Sequence, residues 1–221
     1  MDTNTGGILL CGGAGTRLFP TTQYTNKHLI PVYDKPMVYY SFSILLLSGI
    51  KKITIVCNKN ESEIFKKLLG DGEEFGVELI YTEQDSPKGI PDAISKALEV
   101  NNYDKFLVVL GDNFVFGEKF FTRFENIYDE NVYSTIFSQR VKNPEEFGVV
   151  EVDSVSNNII SIEEKPNKFI SNKAVIGLYI FNNDFGKYFD EINLSKRNEY
   201  EIVDIIKKYK FENINHHEIG R

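Results

Sequence analysis

The sequence predicts an α/β protein whose mixed sheet is mostly parallel and covered by helices on both faces. Three observations carry that expectation. Short apolar runs rich in Val, Ile and Leu recur through the first half, segments of helical period separate them, and Gly or Pro punctuates the joints. Strands joined through helices need crossover connections, which favour parallel pairing between two helical layers.

Residues 7–11 (GILLC) read as a buried strand that runs into glycines. Residues 36–47 read as a helix, with Pro36 suited to its first turn and Gly49 to its end. Residues 52–57 are a β-branched second strand. Residues 61–69 form a helix with Ile64, Phe65, Leu68 and Leu69 on one face, closed by Gly70. A third strand over 77–82, a helix over 91–98 and a fourth strand over 106–110 continue the alternation. The second half changes character. Residues 135–141, 148–152, 159–163 and 175–181 read as strands separated by turn clusters. A helix returns near the end, with Ile202, Ile205, Ile206 and Tyr209 at helical spacing. Extra strands, some antiparallel, are therefore expected to extend the sheet.

A length of 221 residues points to one domain over 1–221, large enough to bury a sizeable core. Lys and Arg total 25 against 32 Asp and Glu, a net charge of −7, which argues against a nucleic-acid surface read through phosphate neutralisation. Hydrophobic residues at 42% exclude disorder as the main state. Cys11 and Cys57, both in apolar runs, read as buried reduced thiols. No basic stretch precedes the first apolar run, and the most apolar segment, around residues 44–47, is too short to span a bilayer. A soluble, cytoplasmic protein without membrane or nucleic-acid partners is expected.

Ligands of open α/β sheets bind beyond the carboxyl ends of the strands, so the residues there are the candidates. After the first strand comes Gly12-Gly13-Ala14-Gly15-Thr16-Arg17. Glycines let backbone N–H groups approach an anion, and Arg17 adds an always protonated fork suited to phosphate. A tight turn without a ligand is the alternative. The run is neither a Walker A loop nor the G-x-G-x-x-G dinucleotide fingerprint. Beyond the fourth strand, Gly111-Asp112-Asn113 places a carboxylate where it could hold a hard cation or merely cap a turn. Beyond the third, Gln84 could hydrogen-bond a base edge, with Gly89 allowing close backbone approach. Glu163-Glu164-Lys165-Pro166 could read sugar hydroxyls and phosphate, or could be a solvated charge cluster. His28, His216 and His217 show no metal spacing, and no Gly-x-Ser-x-Gly elbow supports a serine hydrolase.

In combination, Gly12 to Leu18, Asn26-Lys27-His28-Leu29-Ile30-Pro31 and Asp34-Lys35-Pro36-Met37-Val38-Tyr39-Tyr40 resemble the sugar-1-phosphate nucleotidyltransferases. The resemblance is strongest to the glucose-1-phosphate thymidylyltransferases (dTDP-glucose pyrophosphorylases). Leu68-Leu69-Gly70-Asp71-Gly72, Leu110-Gly111-Asp112-Asn113, Phe147-Gly148-Val149-Val150, Glu163-Glu164-Lys165-Pro166 and Gly177-Leu178-Tyr179 extend it in family order.

The resemblance implies a Rossmann-like three-layer sandwich of the nucleotide-diphospho-sugar transferase kind. It also implies transfer of a nucleotidyl group from dTTP, or another pyrimidine nucleoside triphosphate, to a sugar 1-phosphate such as glucose 1-phosphate, with release of pyrophosphate. By analogy Leu10, Gly12, Gly13, Ala14, Gly15, Thr16 and Arg17 would surround the triphosphate, and Lys27 would face its phosphates. Gln84, Pro87 and Gly89 would recognise the base. Asp112 would bind Mg²⁺ as well as contacting the nucleotide. Asn113, Phe147, Gly148, Glu164 and Tyr179 would position the sugar, and Lys165 would hold its phosphate. Arg17, Lys27, Asp112 and Lys165 are the expected catalytic set.

Three features depart from the family pattern. Phe147 replaces a sugar-site tyrosine. Pro91-Asp92-Ala93 is unusual beside the base. There is no Trp, and no counterpart of the Trp-Leu-Asp-Thr-Gly-like segment that supplies a second metal aspartate in a C-terminal family extension. The alternatives are a weakly active or non-catalytic shortened relative that binds nucleotide or nucleotide sugar, and a UTP- or CTP-using nucleotidyltransferase acting on another phosphorylated substrate. Assembly as a homo-oligomer is left open.

Overall fold

The computed structural model describes residues 4–115 and 133–220; residues 1–3, part of the N-terminal stretch read above, lie outside them. In chain order the strands and helices are β1 (Thr5–Cys11), β2 (Pro31–Val32), β3 (Lys35–Pro36), α1 (Val38–Leu47), β4 (Lys52–Asn58), α2 (Ser62–Leu69), β5 (Glu78–Gln84), α3 (Ile90–Val100) and β6 (Lys105–Leu110). Then follow β7 (Ser134–Arg140), β8 (Gly148–Val152), β9 (Ile159–Glu164), β10 (Lys173–Asn182), α4 (Asp184–Phe189), α5 (Ile202–Lys208) and β11 (Ile214–Glu218).

The main sheet has the order β11-β7-β10-β6-β1-β4-β5, with β8 added to β10 and β9 to β8. β1 pairs in parallel with both β4 and β6, and β4 with β5. β10 is antiparallel to its neighbours β6 and β7, whereas β11 is parallel to β7. Along that path β10 alone runs against the others, as a mostly parallel mixed sheet requires. From β1 the chain winds outward through α1, β4 and α2 to β5. Then α3 carries it back to β6 on the other side of β1. The winding reverses at β1, and open α/β sheets form their ligand crevice at such a reversal.

Alternation along the strands builds two apolar layers. Ile8, Leu10 and Val108 pack with Ala93, Ile94 and Ala97 of α3 and with Val203 and Ile206 of α5. Leu9, Cys11, Leu107 and Val109 face the other way, against Phe42 and Leu45 of α1 and Phe65 of α2. Cys11 and Cys57 are register neighbours on β1 and β4 and are buried free thiols. Burial raises the Cys57 thiol to about 12.

Several boundaries differ from expectation. Pro36 belongs to β3, paired with Pro31, so α1 begins at Val38 instead of Pro36. The small ladder needs extended backbone at Pro36, which the helix cannot share. β5 runs on to Gln84 because the parallel ladder continues to an Asn58–Gln84 pair. Gln84 is therefore the last residue of its strand. α4 and β11 were not anticipated: α4 is a helix of only six residues, and β11 (INHHE) carries little apolar pattern of its own. Its strand form comes from pairing along β7. No described helix is long and apolar enough to cross a membrane.

His216 on β11 is 4% exposed. The Asn157 amide nitrogen donates to the His216 carbonyl, so Asn157 Oδ1 faces His216 Nδ1, at 3.1 Å. Nδ1 therefore carries the hydrogen, and Nε2 accepts from the Ser138 hydroxyl at 2.8 Å. Burial first, then the nearby Lys173 charge, lowers this imidazole to about 4. A base with a lowered folded pKa takes up protons more readily in the unfolded chain, so its stabilisation is present above about pH 6.5 and is lost on acidification towards pH 4. Urea midpoints should fall across that window by the equivalent of roughly 2 kcal/mol. The slope should be shallower in His216→Asn; an identical slope in parent and variant removes His216 as its source.

Candidate active site

The carboxyl ends of β1, β4, β5 and β6 meet around the reversal point. Beyond β1 the chain turns through Gly12 and Gly13, and Asn58 at the end of β4 clamps this turn. The Gly13 N–H donates to Asn58 Oδ1 at 2.9 Å, and Asn58 Nδ2 donates to the Gly13 carbonyl at 3.3 Å. Asn26, buried, donates to the Cys11 carbonyl and to Glu61, which fixes the start of the turn holding Lys27. Lys27 Nζ reaches Asp112 Oδ2, just past β6, at 2.5 Å. Burial works to raise the Asp112 carboxyl, but the charge and hydrogen bond of Lys27 prevail and hold it below the ordinary carboxylate range. His28 sits against Gly111, and burial together with Lys27 lowers its imidazole.

Two cavities open here. The smaller, about 210 Å³, is lined by Leu10, Gly12, Gly13, Lys27, Gln84, Pro87 and Gly89. The larger, about 430 Å³, is bordered by Arg17, Asn113, Phe147, Gly148, Glu164, Lys165 and Tyr179. Asp112, Leu110, Gly89, Ile90 and Glu199 line both, so the two volumes are halves of one cleft joined at the end of β6. The larger half falls within the size range of small-molecule sites, about 300–1,000 Å³. Arg17 is exposed at the rim of the larger half. Ala14 borders a separate depression with Asn26 and Glu61, and Gly15 and Thr16 line neither half of the cleft.

The second half of the chain shapes the larger cavity. β10 changes register between Val175 and Tyr179, and Gly177 lies within this irregularity. A Cβ at Gly177 would come within 2.4 Å of Leu110 and Asn113, so only glycine lets β10 pass this close to the end of β6. Asn113 Nδ2 donates to the Gly177 carbonyl at 2.9 Å and joins the two strands. Gly148 pairs with Glu164 across β8 and β9. Lys165 follows with φ of 45°, a left-handed conformation that a non-glycine residue adopts at a cost of roughly 1 kcal/mol or more. Burial, then the Glu201 carboxylate, raises Glu164 above the usual carboxylate range against the pull of Arg197.

A strap over residues 195–201, ahead of α5, ties the halves together. Arg197 donates to Glu164 at 2.8 Å and to Glu201 at 2.6 Å. The Tyr200 N–H donates to the Lys88 carbonyl at 2.8 Å, beside Gly89. Sequence reasoning missed Arg197, Glu199, Tyr200 and Glu201, which line the larger cavity. They follow no strand, and only the density of charge ahead of an apolar helix signals them. It missed Asn58 as well, although that residue lies at a strand's carboxyl end where the same rule applies.

Among the described residues no three His, Cys, Asp or Glu side chains gather as a metal cage. Mg²⁺ needs none, since one or two carboxylates plus substrate phosphate oxygens commonly hold it. Asp112, kept ionised at the junction of the two halves, fits that donor set.

Residues 6–219 match the nucleotidyl transferase family. The chain belongs to that family. It is a nucleotidyltransferase, and the enzyme class expected from the sequence holds. It is 41% identical over 203 residues to the glucose-1-phosphate thymidylyltransferase of Neisseria meningitidis, which covers 92% of this chain and 70% of that protein. It is 39% identical over 206 residues to the enzyme of that name from Mycolicibacterium smegmatis, again covering 92% of this chain and 70% of the relative. Among solved structures, a Bacillus anthracis protein described as a glucose-1-phosphate thymidylyltransferase, in complex with sucrose, superposes with a TM-score of 0.88 at 35% identity. That match covers 97% of this chain and 87% of the other. A UDP-glucose pyrophosphorylase complexed with UDP-glucose shares the fold, with a TM-score of 0.80 at 23% identity over 92% of this chain and 86% of that one.

Gly89 precedes α3 with φ of 101°, and a Cβ there would lie 2.2 Å from the Tyr200 carbonyl oxygen. Gly89→Ala combines backbone strain with a backbone clash, so it should cost on the order of 2–4 kcal/mol in urea unfolding. A cost below about 0.5 kcal/mol would show that the strap is not packed on this turn in solution.

Proposed function

We propose that this nucleotidyltransferase joins a pyrimidine nucleoside triphosphate, dTTP foremost, to a sugar 1-phosphate, glucose 1-phosphate foremost, releasing pyrophosphate. The observation that carries the reading is the bipartite cleft, whose halves meet at Asp112. Support also comes from relatives named glucose-1-phosphate thymidylyltransferase over nine-tenths of the chain.

The smaller half takes the nucleotide, with its base towards Gln84 and Gly89 and its phosphates running past the Gly12–Gly13 turn. The larger half takes the sugar against Gly148, Glu164 and Tyr179. Lys165 and Arg197 supply positive charge for the sugar phosphate. A sugar-phosphate oxygen attacks the α-phosphorus in line. The new phosphorus–oxygen bond forms as the bond between the α-phosphorus and the bridging oxygen breaks, and that oxygen leaves with pyrophosphate. No protein nucleophile is needed. Arg17 and Lys27 neutralise the charge that builds on the departing group, and the cleft walls hold both substrates at attacking distance. Lys27 is bonded to Asp112 and would turn from the carboxylate towards phosphate as the triphosphate binds. Mg²⁺, held by Asp112 and triphosphate oxygens, would withdraw charge from the reacting phosphates.

The test is pyrophosphate release from dTTP and glucose 1-phosphate with Mg²⁺. Asp112→Asn should lower kcat by about a hundredfold or more, and Arg17→Ala by roughly tenfold to a hundredfold, with the folded state retained. Failure of the intact protein to release pyrophosphate with any pairing in a panel of triphosphates and sugar phosphates refutes the reading.

A further inference from the structure

Gln84 ends β5 with 5% of its surface exposed, and its side chain lines the smaller half of the cleft. Its amide Nε2 donates to Asp92 Oδ2 at 2.9 Å. Asp92 lies in the first turn of α3. A carboxylate accepts hydrogen bonds and donates none, so the nitrogen end of the amide must face it. The carbonyl end, Oε1, is thereby turned towards Gly12. A Cβ on Gly12 would lie 2.9 Å from that oxygen, and Oε1 accepts no hydrogen bond among the described residues. A neutral amide or a hydroxyl at position 92 could face either end of Gln84 and would leave its orientation free.

We infer that Asp92 is a positioning residue that locks the Gln84 amide and so selects bases carrying a hydrogen at N3. The inference rests on the nucleotide being held in the smaller half of the cleft. The locked amide offers one acceptor, Oε1, flanked by the second hydrogen of Nε2. Thymine and uracil meet that pair with the N3–H donor and an adjacent carbonyl oxygen. Cytosine has a lone pair at N3 and an amino group beside it, so in the same seat two acceptors oppose each other. It can match the pair only by sliding its ring along the pocket, away from the seat beside Gly89. A buried polar group left facing the wrong partner penalises the wrong ligand more than a missing contact does. The lock does not distinguish thymine from uracil, which share this edge.

Asp92 also adds negative charge at the start of α3, a structural role that would stabilise the helix regardless of ligand. The experiment must separate the two roles. Dissociation constants of dTTP, UTP and dCTP are measured by calorimetry on the purified wild-type chain and on Asp92→Asn and Asp92→Glu, alongside thermal melts. Wild type should bind dTTP at least about tenfold more tightly than dCTP. Asp92→Asn should bring that ratio towards unity and leave the dTTP-to-UTP ratio unchanged. Asp92→Glu, which keeps an acceptor-only carboxylate, should recover part of the discrimination. In turnover, Asp92→Asn should raise KM for dTTP with kcat nearly constant.

A lowered melting temperature with the dTTP-to-dCTP ratio within twofold of wild type overturns the lock and leaves Asp92 a purely structural residue. A wild-type ratio near one overturns it directly. Wild-type protein that binds none of the three nucleotides overturns the placement of the nucleotide together with the lock. Nucleotide binding without pyrophosphate release would sink the catalytic reading alone.

Discussion

The reversal of winding at β1 is the constraint on which the rest of the site depends. With β4 on one side and β6 on the other, the residues that leave β1 and β6 emerge side by side at the same edge of the sheet. A glycine turn and an acidic residue one hundred positions apart in the chain are thus held by two adjacent buried strands. Packed strands are stiff, so the turn and the carboxylate keep their spacing without a ligand, as a reaction driven by positioning and charge requires. The Lys27–Asp112 ion pair is the visible sign of that convergence.

The larger half of the cleft depends on a different device. β10 runs against its neighbours β6 and β7, so residues from the beginning of β10 reach the edge where those two strands end. The register change around Gly177 lets this strand pass close to Leu110 and Asn113, beside the space bordered by Phe147 just ahead of β8, Gly148 of β8 and Glu164 of β9. The strap before α5 then couples the halves, with Arg197 gripping Glu164 on one side and Tyr200 bonded beside Gly89 on the other. Both halves of the cleft therefore share one set of walls, and a shift of the strap would alter both.

Charge is distributed unevenly along the cleft. Lys27 holds the Asp112 carboxyl below the ordinary carboxylate range, whereas burial and Glu201 raise that of Glu164, with Arg197 opposing. A carboxylate kept charged suits a cation. Glu164, an acceptor already bonded to Arg197, suits the hydroxyl donors of a sugar. Two acidic residues in one cleft thus differ in character because their neighbours differ, a distinction absent from their side-chain chemistry alone.

Local pattern was enough for the alternating strands and helices from β1 to β6, because apolar period and glycine or proline punctuation are properties of short segments. The same rule of looking beyond strand ends placed Gly12, Gly13, Gln84 and Asp112 on the cleft, since a parallel sheet sends all its carboxyl ends to one edge. Where the ladder stops was not legible: Gln84 belongs to β5 because Asn58 continues the pairing opposite it. β11 has almost no strand pattern and exists because β7 offers it an edge. Arg197, Glu199 and Tyr200 reach the cleft from a segment with no periodicity, carried there by the packing of α5 on the sheet. The sequence by itself determined the layered α/β plan and the chemical types at the strand ends, because these follow from nearest-neighbour periodicity. Tertiary structure alone decided which groups meet across long chain separations, the side chains of Lys27 with Asp112 and of Arg197 with Glu164, and the Tyr200 backbone with the turn at Gly89. Such meetings depend on strand order and register, which no local stretch of sequence encodes.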